Sequence, residues 1–135
     1  MPNRKKHLKV GAFAGLAISA LTNIQKQLER RQANPCIKFN WLELALWSSA
    51  GAGVGAACGV LPDLLEPAEH PDHRDLFHSI TTGTAIVYGM YKANNSNLSE
   101  DDKTLINIAG GGYLSHLLLD SETPNGLPII SNQIA

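Results

Sequence analysis

Little in this sequence invites the commoner chemistries. It has two cysteines, Cys36 and Cys58, far apart and without Cys-x-x-Cys spacing, which argues against a disulfide framework and for buried or inert thiols. The net charge is only −1, so there is no electrostatic case for general nucleic-acid binding. No Gly-x-Ser-x-Gly occurs and neither cysteine stands beside a histidine, so a nucleophilic hydrolase gains no support. The string Gly51-Ala-Gly-Val-Gly55 invites a nucleotide-loop reading, but no lysine with serine or threonine follows it and no valine-rich strand precedes it. Almost no segment alternates with period two, which leaves little room for strands.

What is present is helical. The 135 residues suit one domain with a modest core. Residues 5–31 lack internal proline and meet a stop at Asn34-Pro35; Asn40 is placed to cap a second helix over 41–60, ended by Pro62. A third helix is expected over 76–92, and Ser99-Glu-Asp-Asp102 resembles a capping arrangement opening a fourth that runs to about Asp120. Thr123-Pro-Asn-Gly-Leu-Pro128 is turn chemistry before a loosely held tail. The expected fold is all-α, a compact bundle of about four to five helices with a His/Asp-rich loop between helices two and three.

Small residues indicate how the helices meet. Gly51, Gly55 and Gly59 recur every four residues in the second helix, and Gly11, Gly15 and Ser19 do so in the first. Such rows make grooves in which two backbones approach closely. With antiparallel packing, pairing Gly15 with Gly55 puts His7 beside Asp63. Gly112, His116 and Asp120 form a similar row in the fourth helix, so that His116 and Asp120, one turn apart, can grip one ion. Gly110, Gly111 and Gly112 together cost a helix roughly 1 kcal/mol each against alanine, so close backbone approach is expected there.

The stretch from Gly59 to Ser79 holds His70, His73 and His78 with five carboxylates. Histidine and carboxylate are the usual ligands of zinc and similar divalent ions. His70 reads as solvent-exposed, and Arg74 reads equally as an anion clamp for a phosphate or carboxylate and as a partner of Asp72 or Asp75. The membrane question has two sides. Arg4–Lys9 followed by Val10–Leu21 has the outline of a signal peptide, yet the run continues into Gln25–Arg31 as the polar end of one helix. Leu42–Leu61 nearly spans a bilayer, but carries Glu43, two serines and several glycines in a chain of mean hydropathy −0.08. A soluble or peripherally membrane-associated protein is the expectation, an integral one the rival.

Taken in order, Leu61-Pro62-Asp63, His73-Arg74 with His78-Ser79, Gly112-Tyr113-Leu114-Ser115-His116 with Asp120, and Thr123-Pro124-Asn125-Gly126 resemble the YdjM-type metal-dependent hydrolases, whose N-terminal histidine His7 matches. A more distant likeness is to zinc phospholipase C and P1-type nuclease. The resemblance implies a helical hydrolase at the bacterial inner membrane or in the cytoplasm. Pattern and resemblance together give His7, Asp63, His73, His78, His116 and Asp120 as ligands of one or two divalent ions, zinc first, then manganese or magnesium. Glu66 or Asp75 would accept a proton, Arg74 would hold a small-molecule or lipid phosphate ester, and a membrane surface or a second copy would be the partner. The departures are Leu65 for the motif's second aspartate, with Glu66 beside it, Phe77 for threonine and Asp75 for glycine. The alternative is a non-catalytic, metal-stabilised scaffold.

Overall fold

The computed structural model describes residues 4–66, 76–122, 126–127 and 129. Among them are four α-helices and one 3-10 turn: α1 Arg4–Ala33, α2 Trp41–Leu65, α3 Ile80–Asn94 and α4 Glu100–Ser121, with the turn Leu76–His78 ahead of α3. The bundle is all-α, as expected, and no strand occurs among the described residues.

Each helix begins where its side chains allow. Asn40 accepts from the Glu43 N–H, and Ser99 accepts from the Asp102 N–H, satisfying donors that the first turn leaves without partners. The third helix starts later than expected, because Ser79 accepts from the Thr82 N–H and Leu76–His78 winds separately as the 3-10 turn. The second helix ends later than expected. Pro62 is buried inside it rather than after it, and Asp63 still lies on the helix, which closes when the Glu66 N–H donates to the Pro62 carbonyl at 2.9 Å. Proline removes one helical donor and crowds the carbonyl four residues back, a cost that tertiary packing can absorb.

The glycine rows set the topology. A Cβ on Gly55 would lie 2.8 Å from Gly15 Cα and 2.9 Å from Gly15 N, and one on Gly59 would lie 2.9 Å from Gly11 Cα. Helices α1 and α2 therefore run antiparallel with backbones in contact. The three successive glycines of α4 face three different neighbours: Gly110 lies under Met90 of α3, Gly111 under Ile18 of α1, and Gly112 against Gly55 and Cys58 of α2. This is the close approach that their helix cost demanded. The order is up, down, up, down, with α3 leaning chiefly on α4, where Asn94 and Asn107 exchange amide hydrogen bonds at 2.8 and 3.0 Å.

Beside a small apolar core of Val60, Ile108, Tyr113 and Leu117, much of the interior is polar and much of the exterior apolar. The buried face of α1 is one row of every fourth residue: His7, Gly11, Gly15, Ser19, Asn23 and Gln27. Ser19 donates to the Trp47 carbonyl, Asn23 to Glu43 at 3.0 Å, and Gln27 trades bonds with the Asn40 backbone at 2.9 and 2.6 Å. Meanwhile Phe13 is 72% exposed and Trp41 73%, in company with Leu8, Leu16, Leu21, Leu42, Leu46 and Leu64. Helices α1 and α2 are each long and apolar enough to cross a membrane.

Candidate metal centre

One end of the bundle collects side chains from every principal element except α3. His7 comes from the start of α1, Asp63 from the last turn of α2, His78 from the end of the 3-10 turn, and His116 with Asp120 from the end of α4. Antiparallel packing on the glycine rows delivers the first two, and the i, i+4 spacing on α4 delivers the last two. All are buried except Asp63, whose side chain keeps 35% of its exposure.

Four of their atoms converge. His116 Nε2 lies 3.2 Å from His78 Nε2, 3.4 Å from Asp63 Oδ1 and 3.2 Å from Asp120 Oδ2. His78 Nε2 lies 3.3 Å from Asp63 Oδ1 and 3.8 Å from Asp120 Oδ2. Donors placed tetrahedrally about zinc at about 2.0–2.1 Å stand roughly 3.3 Å from one another, so these separations fit one small ion.

The protons on the other ring nitrogens make that fit compelling. His116 Nδ1 is 2.7 Å from the Gly59 carbonyl oxygen, which only accepts, so this nitrogen carries the hydrogen. His78 Nδ1 is 2.7 Å from Glu66 Oε2, and a carboxylate likewise fixes the hydrogen there. Both Nε2 lone pairs then face each other and two carboxylate oxygens. Four acceptors in a buried space repel unless a positive charge lies among them, and a proton or a metal ion supplies it.

The partners that orient the rings are themselves held. Glu66 accepts the Phe77 N–H at 3.0 Å with its other oxygen, and the Tyr113 hydroxyl donates to the Phe77 carbonyl at 2.7 Å, tying the 3-10 turn to α4. Pro62 leaves the Cys58 carbonyl without its usual helical donor, and the next carbonyl, that of Gly59, is the one His116 uses. Leu65 points away from the cluster at 46% exposure, as a residue two after Asp63 on a helix must. Glu66, three after it, shares the Asp63 face and carries the nearby carboxylate.

Burial by itself would lower the His78 pKa. The hydrogen bonds to Asp63 and Glu66, with the charge of Asp120, outweigh it and raise the pKa above the ordinary 6.5. Without metal, this imidazolium contributes stability in full below the unfolded-state value, and the contribution is lost as pH rises through the raised folded one. Metal uptake has the opposite dependence, because the ion must displace the proton. Titration of metal into metal-free protein is expected to release protons and to tighten between pH 6 and pH 8; calorimetry in buffers of different ionisation enthalpy counts them.

Of the sequence-derived ligands, the structure brings His7, Asp63, His78, His116 and Asp120 together at this end of the bundle. His73, Arg74 and Asp75, like His70, lie outside the described residues. Glu66, expected as a proton acceptor, has one oxygen on His78 and the other on the Phe77 N–H. The Gly59 carbonyl and Tyr113 were not anticipated. Both cysteines are free, Cys36 exposed rather than buried. Compared with known proteins, the chain matches no family model, no curated protein and no solved structure.

Proposed function

We propose that the chain is a membrane-embedded, metal-dependent hydrolase of the YdjM type, acting on a phosphate ester. The observation that carries the reading is the convergence of four acceptor atoms, two imidazole and two carboxylate, with both Nδ1 hydrogens already committed. A histidine and carboxylate donor set without cysteine is the kind that zinc enzymes use, whereas structural zinc favours thiolates. Imidazole also suits zinc or manganese better than magnesium. A divalent ion held at this centre would supply Lewis acidity. The chain's own residues do the rest: Glu66 orients His78, the Gly59 carbonyl orients His116, and Asp63 is the partly exposed member of the set. Asp75 and Arg74, outside the described residues, are the proton acceptor and anion clamp proposed from the sequence.

The membrane part rests on the distribution of side chains, which weighs against the soluble expectation. Uncharged stretches run over residues 10–25, 44–62 and 104–119, spans of about 24–28 Å at ~1.5 Å per residue, close to the hydrocarbon thickness of a bilayer. Polar groups are kept between helices and large apolar ones outside. The metal centre then lies at one edge of the slab, at headgroup depth. The protein is expected to stay in the membrane fraction through an alkaline carbonate wash; release into the supernatant would refute embedding.

A second reading has an observation of its own. Four protein donors at tetrahedral separations can close a coordination sphere, and a closed sphere pins helices without chemistry. Loading detergent-purified protein with zinc or manganese and screening phosphomonoesters and phosphodiesters separates the two. Turnover that chelation abolishes supports the hydrolase; full metal occupancy with no turnover supports the scaffold.

A further inference from the structure

The rings of His7 and His116 are stacked, with centroids 3.7 Å apart and planes 24° from parallel. An imidazole binds a metal through a lone pair that lies in the ring plane. Two planes so arranged meet only far beyond a metal–nitrogen bond of about 2.0–2.1 Å. One ion therefore cannot be bound in plane by both rings. His116 already faces Asp63, His78 and Asp120 Oδ2. His7 Nε2 instead faces the other oxygen of the same carboxylate, Asp120 Oδ1, at 3.6 Å. The two oxygens of Asp120 thus serve different imidazoles, as in a carboxylate that bridges two ions.

We infer that the centre is dinuclear. The first ion takes His78, His116, Asp63 and Asp120 Oδ2; the second takes His7 Nε2 and Asp120 Oδ1, with Asp63 near enough to complete its protein donors. The two positions differ in kind. Among the described residues the first has four protein donors and the second two or three, so the second is the position where a water or a phosphoryl oxygen would be taken up. The ligand is a divalent first-row ion, zinc or manganese. This rests on the metal-centre reading above and adds to it the position at which substrate would meet metal, since a first site filled by protein offers none.

The test is metal content and spin coupling, neither of which depends on knowing a substrate. Metal-free protein in detergent is loaded with manganese, freed of excess ion and analysed by elemental analysis and electron paramagnetic resonance. The expected result for the unaltered chain is two ions per protein with the signature of a coupled pair. His7→Ala is expected to hold one ion, uncoupled, with its helical circular dichroism unchanged. His7→Gln, which keeps most of the side-chain volume, should behave likewise and guards against a folding defect in the first variant. One ion in the unaltered protein, or two in both variants, overturns the dinuclear assignment while leaving a metal centre. No bound ion in the unaltered protein overturns the metal reading itself.

Discussion

His116→Ala is expected to lose the ion of the first position, the one held by His78, His116, Asp63 and Asp120. The ring is 0% exposed, and its Nε2 is the atom closest to the other donors, 3.2 Å from both His78 and Asp120. Changing even an outer partner of a metal ligand costs about 10–100-fold in affinity, so deleting the ligand should cost at least that. The substitution also removes the hydrogen bond that ties α4 to the Gly59 carbonyl of α2. Elemental analysis of purified protein should find at least half of the unaltered metal content gone, with the thermal midpoint lowered. Leu118→Ala, an exposed change on the same helix, serves as the control and should keep both. Full stoichiometry in His116→Ala would mean that the metal, if any, is bound elsewhere.

Gly55→Leu should prevent assembly altogether. A Cβ there runs into the Gly11 carbonyl and comes within 2.9 Å of both Gly15 Cα and Gly15 N, all backbone. The opposite side of Gly55 is no freer, because its Cα and carbonyl receive Gly112 of α4. Overpacking in a core that can adjust costs about 1–3 kcal/mol. Here nothing in reach is a flexible side chain, so two helix pairs would have to separate, against a total stability of about 5–15 kcal/mol for ordinary proteins. Gly53→Leu is the matched comparison: it lies two residues away, its Cβ would meet nothing within 4 Å, and it should be tolerated. Thermal unfolding in detergent, followed by circular dichroism, distinguishes the two. An unchanged transition in Gly55→Leu would refute the seam between α1, α2 and α4.

Much of this was visible in the sequence, wherever a single local rule decides. The caps at Asn40 and Ser99 depend on four consecutive residues. The Gly15–Gly55 pairing depends only on a period of four and a short connection. The harder features depend on what arrives from elsewhere. Pro62 would normally end a helix; here burial and the Glu66 N–H hold the last turn in place. The task of Glu66 could not be read from its own neighbours, because it is set by where the 3-10 turn brings His78. Nor did the glycine triplet of α4 disclose that three neighbours claim one residue each. The apolar exterior was obscured for another reason: overall hydropathy averages the charged helix ends with the uncharged middles.

The row of small residues has one weakness as a code. Because it repeats every four residues, sliding α1 along α2 by one step still sets small against small, and the glycines alone would accept either alignment. The polar residues at the far end remove the ambiguity. Gln27 meets the Asn40 backbone and Asn23 meets Glu43 in one alignment, while Arg30 reaches the same Glu43 at 3.1 Å. A shift by one step would part all of these, and the amides of Asn23 and Gln27 are buried, where an unmatched amide is costly. It would also carry His7 about 6 Å from its place beside Asp120, at ~1.5 Å per residue. The hydrogen bonds at one end of the seam thus set the alignment on which the metal ligands at the other end depend, some five helical turns away.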